Sequence, residues 1–171
     1  MINLEVSELC SGLFSDVMDK MGYKHQIITN MRKNKKSVSF LGRARTVLIE
    51  TYETDDENIR AGLGFLGLLS QGDVLFVKGS NEFAYFGELM TKLSTQREIE
   101  GVIIDGLTRD TNYTHRDDVK LPILAKGYSP VDIKGRGSYP RGYDGSNASR
   151  QPFRLWCGSY RKDVGGTPKR Y

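Results

Sequence analysis

The sequence predicts an α/β domain, and three observations carry that prediction. Two apolar, largely β-branched runs, GDVLFVKG at 72–79 and GVIIDG at 101–106, have the composition of buried strands. A helical pattern separates them, opening at Gly87-Glu88 and running to about Glu98. Strand, helix and strand packed into so short a stretch make a βαβ crossover, which calls for parallel neighbouring strands and a right-handed connection.

The elements follow in order. Ser7 caps a first helix whose apolar residues Leu9, Leu13, Val17 and Met21 recur every four positions, and Gly22 stands where such a helix stops. Residues 24–36 are polar and basic and read as a loop, with NMRKNKK as a solvated face rather than a nucleic-acid contact. The stretch ARTVLIETY, 44–52, is a strand by composition. Asp55 or Asp56 then starts a second helix, placing acids in the first turn where the macrodipole favours them. Its body spells the dinucleotide fingerprint G-x-G-x-x-G in Gly62-Leu63-Gly64-Phe65-Leu66-Gly67. That fingerprint requires glycines directly after a strand and opening a helix. Here they end a helix ahead of a strand, so close helix packing through small residues is the preferred reading. PILAK, 122–126, supplies a further strand, and 131–134 begins one more.

Composition narrows the class. The chain has 171 residues, 38% hydrophobic and 27% charged, as one globular domain does. No run approaches the ~20 apolar residues that cross a bilayer. MINLEVSEL carries acids where a signal peptide carries bases, so a cytoplasmic protein with no membrane partner is expected. Cys10 and Cys157 are too few for a disulfide framework, and two histidines, His25 and His115, exclude a His-rich zinc site. Any metal is therefore held by oxygen. The net charge of +4 divides unevenly: residues 134–171 hold nine Lys/Arg against two Asp, and the remainder is acidic. From 138 on, Gly, Ser, Arg and Tyr dominate without sustained periodicity, so 1–137 reads as the domain and 138–171 as an irregular basic tail. Trp156 in that tail has no assignable role.

The chemistry concentrates at Arg109-Asp110, which ends GVIIDGLTRD. A guanidinium grips a carboxylate and a carboxylate grips a hard cation, so the pair suits an anionic substrate beside a metal; a surface ion pair at a turn is the plain alternative. The crossover places the start of the Glu88 helix and Arg109-Asp110 together at the carboxyl ends of the strands, where ligands of open sheets bind. A helix start favours a bound carboxylate. A lone carboxylate ligand among waters suits Mg²⁺ or Mn²⁺. Together these groups could chelate a 2-oxo acid and stabilise the enolate left when a neighbouring C–C bond breaks. Asp105 beside Gly106 reads as a turn former, His115 and Asp117 as solvated loop residues, and Cys10 as core.

The segments SDVMDKMG, FLGRARTV, GDVLFVKG, FGELM, GVIIDGLTRD and LPILAKGYSPVDIKGRG stand in order over residues 7–137. In them the chain resembles the family that groups the RraA regulators of ribonuclease activity with the class II 4-hydroxy-4-methyl-2-oxoglutarate aldolases. Some members of that family carry the label demethylmenaquinone methyltransferase. The resemblance implies a swivelling β/β/α domain, with a central sheet or flattened barrel flanked by helices, in a homo-oligomer that is a trimer or a hexamer. The aldolases share an acidic residue, twenty intervening positions and Arg-Asp; Glu88 stands here where they carry Asp. By resemblance, Asp110 binds Mg²⁺ or Mn²⁺ directly and Glu88 holds it through water. Arg109 contacts the substrate's keto oxygen or carboxylate and stabilises the enolate, while the Leu89 and Met90 amides, after Gly87, receive the carboxylate. The implied activity is retro-aldol cleavage to pyruvate, with oxaloacetate decarboxylation through the same enolate. The alternative is a non-catalytic regulator that binds a ribonuclease or another protein. Such regulators lack the aspartate after the arginine, so its presence favours the enzyme.

Beyond Gly137 the family continues with a PGD turn and a D-x-x-G-V-V strand, and neither appears here. Nor does the acid that a neighbouring subunit of the aldolases adds to the metal shell. A divergent tail and a reading frame shifted near codon 138 both account for this.

Overall fold

The computed structural model of the chain describes residues 11–24, 28–36, 39–51, 58–138 and 154–157. In chain order these form α1 (Ser11–Lys20), β1 (Arg32–Lys33), β2 (Phe40–Leu48), β3 (Glu50–Thr51), α2 (Asn58–Gly67), β4 (Asp73–Lys78) and β5 (Ala84–Phe86). There follow α3 (Glu88–Gln96), β6 (Gly101–Thr108), α4 (Thr111–Thr114), β7 (Ile123–Tyr128), β8 (Gly137–Ser138) and β9 (Arg154–Cys157). The main sheet runs β1-β7-β6-β4-β2-β9, with β5 joined to β6 and the pair β3-β8 forming a separate ribbon.

The parallel crossover expected from sequence is present. Strand β4 pairs β6 in parallel from Val74↔Gly101 to Lys78↔Asp105, and β2 and β7 extend the parallel array on either side. Alternation along these strands divides the core. Leu75, Val77, Val102, Ile104, Ile123 and Ala125 face one side, where they meet Phe65, Leu66 and Leu69 around α2 and Leu93 of α3. Val74, Ile103 and Leu124 face the other, under Phe40. Val74, Leu75, Val77, Val102, Ile103 and Ile104 are all at most 1% exposed. At about 1.5–3 kcal/mol for each large apolar side chain buried, this central slab dominates the stability. Gly101 lets Phe40 lie flat on the sheet, since a Cβ there would come within 2.8 Å of the ring.

Several elements differ from the sequence expectation. Strand β2 begins at Phe40, four residues earlier than 44–52, because FLG already pairs with β9. The basic loop contains β1, and its Asn34 is buried. Its amide donates to the Thr114 and Leu121 carbonyls at 2.8 and 3.0 Å, and its Oδ1 accepts from Ile123 N–H at 2.8 Å. Part of NMRKNKK thus clamps β7 rather than facing solvent. Strand β6 continues through Asp105-Gly106 to Thr108, so Asp105 is no turn former. It pairs with Lys78 at 2.6 Å and with Lys126 across the sheet. The α2 glycines precede a strand as predicted, but Gly64 has open space around it and Gly67 only Arg97 at 3.9 Å, so these two do not serve close packing. The tail is not wholly irregular: β9 pairs antiparallel with β2 from Phe40↔Cys157 to Arg43↔Arg154. Helix α1 has the expected apolar stripe, yet Leu13, Val17 and Met21 are 45–65% exposed. Ser7, Leu9, Cys10, His25, Asp55 and Asp56 lie outside the described residues. Among the described residues no helix is long and apolar enough to cross a membrane.

Candidate active site

Two chain segments meet where β5 and β6 end. Strand β6 is buried up to Thr108, whose hydroxyl donates to the Phe86 carbonyl at 2.5 Å, and the Arg109 N–H donates to the same carbonyl at 2.9 Å. The end of β6 is thereby laid against the end of β5, and Asp110 arrives beside the start of α3. Asp110 takes a left-handed conformation, φ 54° and ψ 47°, which aspartate adopts more readily than most non-glycine residues when its side chain finds local partners.

The Asp110 side chain supplies the reason. Its Oδ2 accepts the Glu88 N–H at 2.9 Å, and its Oδ1 lies 3.3 Å from Arg109 Nε. The carboxylate thus caps the first turn of α3 from outside, a favourable place for negative charge. Gly87 makes the approach possible, because a Cβ there would collide with Oδ2 and stand 2.8 Å from Arg109 Cγ. Thr91 N–H returns to the Gly87 carbonyl. The Leu89 and Met90 amides between them have no intrahelical acceptor and border the pocket.

The pocket itself holds about 170 Å³ between Gly87–Met90, Arg109, Asp110, Tyr85, Leu63 and the segment of Asp132 and Ile133. It therefore unites Gly87, Glu88, Leu89, Met90, Arg109 and Asp110, all the residues that the sequence assigns to the site. Glu88 sends its carboxylate along the helix to Lys92, 2.5 Å away, and this hydrogen bond raises the Lys92 pKa. His115 and Asp117 do not line the pocket; His115 sits between Thr114 Oγ1 and Tyr128 OH at 3.1 Å each.

Sequence reasoning missed Asp132. It reaches Arg109 Nη1 at 2.6 Å, closer than Asp110 reaches the same guanidinium. The Asp132 hydrogen bond is the leading cause of a raised Arg109 pKa. Nothing in VDIK marks that aspartate, because its partner lies 23 residues upstream and only the fold brings the two together. Tyr85, Leu63 and Ile133 supply the apolar wall and were equally silent.

The donor chemistry bears on a metal. Asp110 and Asp132 both engage Arg109, and Glu88, paired with Lys92, lines the same pocket, so carboxylates outnumber cations there and an anionic substrate would gain from an added positive charge. Among the described residues no three His, Cys, Asp or Glu side chains converge on one point. The set fits a hard cation held by one carboxylate, with water and substrate completing its shell, as Mg²⁺ accepts. It does not fit a closed tetrahedral site.

Fold and site together define an α/β domain with a pocket at the carboxyl ends of its parallel strands. The chain belongs to the RraA-like family, whose model, described as Aldolase/RraA, matches residues 12–143. Among curated proteins it is similar to one from Bacillus cereus named "Putative 4-hydroxy-4-methyl-2-oxoglutarate aldolase". The two are 29% identical over 119 residues, 68% of this chain and 70% of that one. Among solved structures, Streptomyces coelicolor RraAS2, described as an unusual member of the RNase ES inhibitor RraA protein family, superposes with a TM-score of 0.66. It is 19% identical and covers 77% of this chain, which spans 65% of its length. A structure described as novel cellulases from gut-associated microbes gives 0.71 at 18% identity, over 82% of this chain and 67% of that one. These solved structures establish the fold.

Proposed function

We propose that the chain is a divalent-metal-dependent lyase acting on 2-oxo acids, cleaving 4-hydroxy-4-methyl-2-oxoglutarate-type substrates to pyruvate and decarboxylating oxaloacetate. The observation that carries this reading is the convergence of Arg109, Asp110 and the open amides of α3 on one pocket. The aldolase names of the Bacillus relatives support it.

The residues divide the work. The Leu89 and Met90 amides bind the substrate carboxylate at the positive end of the helix. Arg109 donates to the 2-oxo oxygen and stabilises the charge that develops there. In cleavage the C3–C4 bond breaks and its electron pair passes into the C2 carbonyl, giving the enolate of pyruvate. The C4 hydroxyl gives up its proton and becomes the carbonyl of the second product, and a proton returns to C3. Oxaloacetate reaches the same enolate by losing CO₂. Asp110 would hold Mg²⁺ or Mn²⁺, with Glu88 reaching it through water, and the cation would supply Lewis-acid polarisation of the 2-oxo carbonyl. Tyr85, Leu63 and Ile133 limit water around the reacting carbons.

Pyruvate release from both substrates, with Mg²⁺ and with EDTA, tests the assignment. Turnover should vanish with EDTA and fall at least ~10²-fold in Asp110→Ala, the scale for losing one electrostatic anchor of a transition state. Metal-independent turnover, or an unimpaired variant, overturns it. A second reading, a non-catalytic regulator that binds a ribonuclease or another protein, is supported by the family model, whose description joins RraA with the aldolases. A folded protein without turnover on either substrate selects it.

A further inference from the structure

We propose that Asp132 is the positioning residue of this pocket: it fixes the Arg109 guanidinium in the orientation that meets the substrate's 2-oxo oxygen.

The argument begins with the arginine. Its guanidinium has five N–H donors. Nε is turned toward Asp110 at 3.3 Å and Nη1 is held by Asp132 at 2.6 Å, which leaves both Nη2 protons and one on Nη1 for a ligand. Asp110 alone contacts it at the long end of hydrogen-bond range, from the adjacent residue. The second contact, from a distant segment, defines the plane of the fork.

The segment that carries Asp132 is built to hold still. Asp132 bridges Ala84 of β5, and Ala84 N–H donates to the Val131 carbonyl at 2.8 Å. Behind it, Arg136 and Gly137 N–H groups both donate to the Ile133 carbonyl, and β8 locks onto β3. Strand β5 leads directly into Gly87 and the open amides of α3. One braced unit therefore sets both the amide cradle and the aspartate that aims Arg109, so the two substrate-binding groups keep a fixed separation.

Stability does not explain the pair. Arg109 and Asp132 side chains are 31% and 46% exposed, and ion pairs so open to water contribute little to folding. Both line the same pocket. An orientation maintained there serves a ligand.

The kinetic part of this inference rests on the lyase reading; the structural part does not, and the test separates them. The full chain carrying Asp132→Ala is compared with Asp132→Asn, which keeps an oxygen acceptor. Two readouts are taken: pyruvate release from oxaloacetate with Mg²⁺, and the ¹⁵Nη1–¹Hη1 NMR signal of Arg109, the group that Asp132 holds. Asp132→Ala should lower kcat about 10–100-fold, the scale of a reacting group misplaced by about an ångström, with a smaller change in KM. Asp132→Asn should recover most of kcat. The Arg109 signal should be sharp and slowly exchanging in the wild type, lost in Asp132→Ala and retained in Asp132→Asn, with unfolding midpoints unchanged. If Asp132→Ala does not fold, the asparagine variant alone decides: a wild-type-like Arg109 signal together with substantial kcat supports the proposal. A signal indifferent to residue 132, whatever happens to kcat, overturns it. An Arg109 signal that depends on Asp132 in a protein with no turnover sinks the lyase reading and leaves the positioning role standing.

Discussion

Gly87 shows how much of the pocket depends on one missing methyl group. Its Cβ position is already claimed by the Asp110 carboxylate and by Arg109 Cγ. Gly87→Ala should push Asp110 off the Glu88 amide. The expected result is at least a tenfold loss of pyruvate release and a destabilisation of about 1–3 kcal/mol, as for overpacking elsewhere. Kinetics together with urea unfolding check both parts, and an active alanine variant would show that the carboxylate moves freely. Asp105 gives a pH prediction at the same scale. Hydrogen bonds from Lys126 and then Lys78 hold its carboxyl below the ordinary value of 3.8. A carboxyl lowered in the folded state stabilises fully above its unfolded value, and less as pH falls through the folded one. Lys78 and Lys126 are 60% and 41% exposed, so the worth is screened to at most about 1 kcal/mol. Asp105→Asn should therefore cost up to that amount at pH 7, with the difference shrinking below about pH 4. Equal differences at pH 7 and pH 3 would contradict the assignment.

At the scale of elements, the sequence places best the strands whose apolar runs are strongest. Strands β4 and β7 agree to within two residues with 72–79 and 122–126, because Val, Ile and Leu on both faces mark a doubly covered strand. Strand β6 begins where expected at Gly101. The sequence cuts it short at Gly106 because Asp-Gly reads as a turn, whereas the fold uses that glycine for contact: a Cβ would lie 2.8 Å from the Ser80 carbonyl oxygen. Strand β5 is invisible in sequence, since three residues carry no period. Strand β9 hides in a stretch whose composition reads as irregular, and it covers the outer edge of β2. Removing 139–171 uncovers that edge, and unpaired edges invite intermolecular pairing. The truncated chain should unfold at lower temperature and scatter light at concentrations where the full chain does not. Calorimetry and light scattering on the two chains measure this, and identical behaviour would show β9 to be dispensable.

For the whole molecule, the pocket links assembly of the sheet to ligand binding. It is bounded by β5, β6, α3 and the segment before β8, so a ligand seated there stabilises the fold as a unit. Oxalate, which matches the planar dianionic shape of the pyruvate enolate, should raise the unfolding free energy in the presence of Mg²⁺. At a hundred times its Kd the gain is about 2.7 kcal/mol. Without the cation the acidic pocket should repel it and the gain should vanish; a stabilisation independent of Mg²⁺ would remove the metal from the account.

The sequence by itself determined the α/β class, the crossover, and the meeting of Gly87–Met90 with Arg109-Asp110, because these follow from periodicities of 2 and 3.6 and from a short connection whose geometry is nearly forced. Tertiary structure alone decided that Asp132 grips Arg109, that Asn34 ties the basic loop to β7, and that Asp105 joins two lysines across the sheet. Each of these joins strands or loops through side chains whose partners lie tens of residues away. Local pattern specifies an element and the face it buries. Which charged groups those faces bring within 3 Å is fixed only when the strands take their register.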